Sequence, residues 1–138
     1  MGRKHRGKAI HGWIIIDKPG GLSSNAVVGR VRRLTGAAKV GHAGTLDPMA
    51  TGVLPMALGE ATKIVSYLMD GAKAYRFTVR WGEQRNTDDA EGKVTETSDV
   101  RPAEDQITAV LGRFTGDIEQ TPPVFSAIKI GGKRAYAL

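Results

Sequence analysis

The sequence predicts an α+β fold. Strand-length apolar runs and apolar positions at helical spacing follow one another in mixed order. Lys73 to Trp81 alternates over a full strand, which fits a mixed architecture better than a doubly wound parallel one. The size agrees, because 138 residues suit one ordinary domain and leave no room for a second. A 41% hydrophobic share with 25% charged residues is that of a globular chain.

Trp13 to Ile16 reads as a short buried strand stopped by Pro19-Gly20-Gly21. Ser24 then offers an N-cap for a helix with Val27, Val28, Val31 and Leu34 on one face, ended by Gly36. Arg30, Arg32, Arg33 and Lys39 lie on or beside its other faces, either as a phosphate-contacting surface or as the wet side of an amphipathic helix. Val53 to Leu58 suits a strand, and Ala61, Ile64, Val65 and Leu68 recur at helical spacing before Gly71. In Lys73 to Trp81, the residues Tyr75, Phe77, Val79 and Trp81 share one face, with Arg76, Thr78 and Arg80 on the other. Residues 82 to 93 form an acidic connection, and Ile107, Val110, Leu111 and Phe114 mark another amphipathic helix. Val124 to Ile130 follows Pro122-Pro123 as a strand turned by Gly131-Gly132, and Arg134 to Leu138 looks like the start of a helix.

After the first helix, residues 41 to 55 hold three glycines and two prolines, which force the chain out of regular structure around one acid, Asp47. Pro48 pushes Asp47 toward an extended conformation, so its carboxylate is displayed on a stiff loop rather than buried in a helix. Displayed in this way, the acid is equipped for catalysis; an isolated Asp-Pro would otherwise be read as a turn.

Composition excludes several classes. With no cysteine, disulfides and thiolate metal sites are impossible, and three histidines at positions 5, 11 and 42 lack any ligand spacing, so no catalytic metal is expected. Asp88 and Asp89 read as a solvated turn rather than a metal site. No Gly-x-x-x-x-Gly-Lys-Ser/Thr sequence supports an NTP site. The apolar run Trp13 to Ile16 is too short for a signal-peptide core or a membrane span, so a cytoplasmic protein with no membrane partner is expected.

The net charge of +6 is uneven. Residues 1 to 80 hold 13 Lys/Arg against 4 Asp/Glu, whereas residues 81 to 138 hold 7 against 10. That asymmetry points the first part at a polyanion, nucleic acid above all, because Lys and Arg release condensed counterions on binding phosphates. Residues 1 to 11, with Arg3, Lys4, Arg6 and Lys8, read as a basic, flexible tail.

Several motifs together carry a family resemblance running from about Gly12 to the last residue. Gly41-His42-Ala43-Gly44-Thr45-Leu46-Asp47-Pro48, Ala50-Thr51-Gly52 and Gly59-Glu60-Ala61-Thr62-Lys63 resemble the signature of the TruB-type tRNA pseudouridine-55 synthases. Asp17-Lys18-Pro19 with Ser23-Ser24-Asn25, Lys73-x-Tyr75-Arg76, Asp88-Asp89-x-x-Gly92 and Pro123-x-x-Ser126-Ala127-x-Lys129-x-x-Gly132 are similar to that family too.

The resemblance implies a mixed central sheet flanked by helices with the active-site cleft across it, residues 12 to 138 being the N-terminal part of the catalytic domain. It implies isomerisation of uridine to pseudouridine in the TΨC loop of tRNA, with no NTP or redox cofactor. Asp47 would be the catalytic aspartate, Tyr75 would lie against the extruded uracil, and His42 would stack where the flipped base had been. Two roles stand for Lys18, neutralising a phosphate or supporting the catalytic loop. Pro123, Ser126, Ala127 and Gly132 would shape the border of the cleft.

Length departs from the family. Its downstream half, with a Tyr-Ile-Arg strand whose arginine would pair with the catalytic aspartate, and the C-terminal RNA-binding domain of many members do not follow Leu138. The expectation is therefore a fragment, a domain completed by a second chain, or a broken reading frame, with the isolated chain inactive. Two competing readings are a non-catalytic RNA-binding fragment and a hydrolase using Asp47 on another nucleoside.

Overall fold

The computed structural model describes residues 7–119, 129–130 and 133–134. The chain divides into two compact units, Met1–Ala74 and Tyr75–Leu138. The boundary falls inside the predicted strand Lys73 to Trp81.

In the first unit, β1 (Gly12–Lys18), β2 (Val40–His42) and β3 (Gly52–Leu58) form an antiparallel sheet in the order β1-β3-β2. Register places Ile14 opposite Met56 and Ile16 opposite Leu54. Alternation therefore sends these four side chains to one face, where α1 (Ser24–Thr35) lays Val27 and Val31 on them, with Leu22, Val28, Val40 and Leu46 packed around. Leu54 and Met56 are fully buried, each worth about 1.5–3 kcal/mol of transfer free energy. Leu34, assigned to this face from its spacing, is 87% exposed and takes no part in the core.

Pro55 sits inside the central strand, a position usually closed to proline. Here β2 ends at His42, opposite Met56, and Pro55 only accepts a hydrogen bond on that side, from the Ala43 N–H at 2.8 Å. Its missing N–H thus costs the ladder nothing.

The cap of α1 is Ser23, not Ser24. Ser23 is extended at φ −68°, ψ 152°, and its hydroxyl accepts the Ala26 N–H at 3.2 Å. Gly36 closes the helix in the left-handed conformation, φ 69°, donating its N–H to the Arg32 carbonyl at 2.9 Å. The near end of the predicted tail is tied to this terminus. Lys8 donates its backbone N–H to the Gly36 carbonyl at 2.7 Å and accepts that of Ala38 at 2.9 Å, while residues 1–6 lie outside the described residues.

The single helix expected around Ala61 to Leu68 is divided into a 3₁₀ turn, Gly59–Lys63, and a short α2, Val65–Met69. Ile64 stands between them at φ −110°, ψ 13°, outside helical geometry.

Lys73 to Trp81, which spans the boundary between the units, joins no ladder among the described residues, which corrects the strand predicted there. Alternation alone makes an amphipathic ribbon; a strand needs a partner for its backbone groups, and among the described residues none pairs with this segment. The predicted connection at 82 to 93 instead opens a hairpin of β4 (Glu83–Arg85) and β5 (Val94–Thr97), with a register shift at Gln84/Arg85. In its turn Asp89 Oδ1 accepts from the Thr87 hydroxyl at 2.6 Å and from the N–H groups of Glu91 and Gly92 at 2.9 and 3.2 Å.

The predicted second amphipathic helix is α3 (Glu104–Leu111), continued by a 3₁₀ turn, Gly112–Phe114. At its start the Gln106 side chain accepts the Ala103 N–H at 2.9 Å, the return half of a capping box, since alanine has no acceptor of its own to offer. Of the strand predicted at Val124 to Ile130, Lys129–Ile130 is β6, paired antiparallel with β7, Lys133–Arg134. Arg134 therefore lies in a strand and not in a helix. Pro123, Ser126, Ala127, Gly131, Gly132 and residues 135–138 lie outside the described residues.

Candidate active site

Asp47 occupies the irregular segment between β2 and β3, and its side chain is exposed. The predicted loop is shorter than residues 41 to 55, because Gly41 and His42 belong to β2 and Gly52 to Pro55 belong to β3. Gly44, at φ 118°, makes the bend that leaves β2, and the Ala50 N–H closes a turn on the Asp47 carbonyl at 3.0 Å.

Both neighbours of Asp47 are anchored. On one side the Ser24 hydroxyl accepts the Leu46 N–H at 2.9 Å and donates to the Leu46 carbonyl at 3.0 Å. On the other the Pro48 carbonyl accepts the Gly21 N–H at 2.7 Å and the Lys18 ammonium at 3.2 Å. The carboxylate stands between these two anchors. The three ion pairs among the described residues, Lys63–Glu60, Arg80–Glu83 and Arg85–Glu83, all leave it free.

Lys18 is wholly buried at the end of β1, and its ammonium donates to the carbonyls of Pro19 at 3.0 Å, Leu22 at 2.7 Å and Pro48. Its three protons have three acceptors, so a phosphate could be served only by displacing one of them. Of the two roles open to Lys18 from sequence, this geometry suits loop support.

His42 ends β2 opposite Met56, five residues before Asp47 in the same unit. Its Nδ1 is buried and has no hydrogen-bond partner among the described residues. Tyr75 belongs to the second unit, in the segment before the hairpin that joins no ladder, and is 68% exposed.

The residue that sequence reasoning undervalued is Ser24. The Ser23-Ser24 doublet carried the signal: a helix has one N-cap, so one of two adjacent hydroxyls is spare. Among the described residues no three His, Asp or Glu side chains gather at metal-binding distance, and no helix is long and apolar enough to cross a membrane.

The sequence matches the family model described as TruB family pseudouridylate synthase, N-terminal domain, over residues 32–138. It is 64% identical over 138 residues to the tRNA pseudouridine synthase B of Rhodospirillum rubrum, an alignment that covers 100% of this chain and 45% of that protein. With the protein of the same name from Dinoroseobacter shibae the identity is 66% over 137 residues, covering 99% of the chain and 45% of the relative. The chain thus spans about 45% of the length of these curated relatives. Among solved structures, a chain of a Cbf5-Nop10-Gar1 complex aligns with a TM-score of 0.56 at 34% identity, over 86% of this chain and 31% of that one. A chain of an H/ACA RNP bound to a substrate RNA containing 2'-deoxyuridine aligns with a TM-score of 0.55 at 26% identity, over 94% and 40%.

Proposed function

The chain belongs to the TruB family of pseudouridylate synthases, and from that premise we propose that the intact protein isomerises uridine to pseudouridine in the TΨC loop of tRNA, with Asp47 as its catalytic carboxylate. The observation that carries this reading is the exposed Asp47 side chain between two neighbours pinned by Ser24 and Lys18. A reacting group must be held as well as displayed, because loss of aim costs rate steeply.

In the proposed reaction the N1–C1′ bond of uridine breaks, the freed uracil rotates, and a C5–C1′ bond forms. The C5 proton leaves and N1 gains one, so the product is an isomer and no outside oxidant or reductant enters. Ionised Asp47 acts either as nucleophile at C1′ or as the electrostatic partner of oxocarbenium character there. Tyr75 offers a ring to the extruded uracil and a hydroxyl for proton removal at C5, His42 fills the stack that the flipped base leaves, and Lys18 supports the loop.

The family match over residues 32–138 and the 45% span support residues 12 to 138 as the N-terminal part of a catalytic domain. A cytoplasmic setting goes with tRNA as substrate. In the intact protein, Asp47→Asn keeps the size of the side chain and removes its charge. Pseudouridine formation, read as tritium release from C5-labelled tRNA, should fall about a thousandfold or more while tRNA binding persists. Retained turnover would remove Asp47 from the mechanism.

A further inference from the structure

We propose that Ser24 is a positioning residue for Asp47, aiming the carboxylate through the backbone of the residue before it. The inference rests on the reading of Asp47 given above.

Ser23 already caps α1, so the Ser24 hydroxyl is not needed at the helix end. It is almost wholly buried, 3% exposed, and both its hydrogen bonds go to Leu46, twenty-two residues away in sequence. A single hydroxyl thereby satisfies the N–H and the C=O of one residue, as a neighbouring strand would. The carbonyl it holds belongs to the peptide plane that leads directly into Asp47. With the Leu46 side chain packed on the core of Val27, Val31, Leu54 and Met56, residue 46 is fixed at side chain and backbone alike.

The two anchors of the loop differ in redundancy. At Pro48 the carbonyl keeps the Gly21 N–H if Lys18 is lost. At Leu46, among the described residues, Ser24 is the sole hydrogen-bond partner of both backbone groups. Removing that hydroxyl leaves two backbone groups without a partner and frees the peptide plane to rotate. The orientation of Asp47 is then lost without removing any group that touches RNA.

The test uses the intact protein and tRNA. Ser24→Ala should lower the single-turnover rate of pseudouridine formation roughly 10- to 100-fold, the scale of a small misplacement, with tRNA Kd changed less than about twofold. Amide hydrogen exchange at Leu46 should quicken while the middle of α1 keeps its protection. Ser23→Ala, which removes the helix cap, should leave the rate close to wild type. An unchanged rate or unchanged Leu46 exchange in Ser24→Ala overturns the proposal, as does an equal rate loss in Ser23→Ala or a loss of affinity that accounts for the rate. If Ser24→Ala does not fold, Ser24→Cys, which keeps the volume and weakens both bonds, is read against the same criteria. Failure of both to fold makes Ser24 a determinant of the fold and overturns the positioning role. If wild-type protein makes no pseudouridine, the functional reading fails on its own, and Leu46 exchange still decides whether Ser24 holds the loop.

Discussion

Lys18 carries an ammonium into the interior with no carboxylate paired to it among the described residues, satisfied by three main-chain carbonyls instead. Such a group stabilises only while every partner is in place, so Lys18→Met should cost about 2–4 kcal/mol, read as a lower Tm of the intact protein. The salt dependence of tRNA binding should stay the same; a shallower dependence would restore the phosphate role. Asp89 offers a second test. Its carboxyl is held below its ordinary 3.8 chiefly by the Thr87 hydroxyl, then by the Glu91 and Gly92 amides and the Arg85 guanidinium, against burial that pushes it up. A depressed carboxyl stabilises the fold fully above its unfolded value, and that contribution is lost as pH falls through the lower folded value. The amide shifts of Glu91 and Gly92 should therefore titrate with a midpoint below 3.8, and a midpoint at or above it would break the link between Asp89 and the turn. The exposed loop position of Asp47 was legible in the sequence because its glycines and prolines are local. The setting of Lys18 was not, since its acceptors include a residue thirty positions away.

At the scale of elements, backbone conformation and space separate two glycines that look alike in sequence. Gly59 has φ 56°, and a Cβ there would meet His11 Nδ1 at 2.2 Å and the Ile10 carbonyl at 2.4 Å; Gly21 has φ 81° with nothing within 4 Å. Gly59→Ala should cost about 2–4 kcal/mol, through both left-handed strain and displacement of the 10–11 segment. Gly21→Ala should cost only about 1 kcal/mol, from strain alone. Denaturant midpoints of the two variants check this, and equal losses would mean that the contact with His11 does not matter. The helices α1 and α3 were readable because each shows apolar positions at helical spacing. β2 was missed because three residues, Val-Gly-His, are too few to show a period. The β4–β5 hairpin was missed because its strands are short and largely polar and its turn is not a two-residue Asn-Gly type. Lys73 to Trp81 failed in the opposite direction, with a clean alternation and no ladder, because periodicity reports which faces differ and not whether a partner strand is present.

Across the whole molecule, charge follows the division into units. Met1–Ala74 holds 11 Lys/Arg against 4 Asp/Glu, whereas Tyr75–Leu138 holds 9 against 10. This reading carried over from sequence because a charge count needs no knowledge of pairing or register. What the count could not supply is which cations reach a ligand. Lys18 is buried with its ammonium on three main-chain carbonyls, while Arg30, Arg32 and Arg33 on α1 and Lys39 just beyond it are all exposed. If these four line the path of the RNA backbone, log affinity for tRNA should fall linearly with log salt concentration, each phosphate contact adding roughly 0.7–0.9 to the slope. Arg30→Ala and Arg33→Ala should each lower the slope by about that amount and weaken binding to unrelated RNA alike, because phosphate contacts carry no sequence information. Fluorescence anisotropy of labelled tRNA at several salt concentrations gives the slopes. Slopes equal to wild type in both variants would make this face of α1 a solvated surface and place the RNA contact elsewhere on the protein.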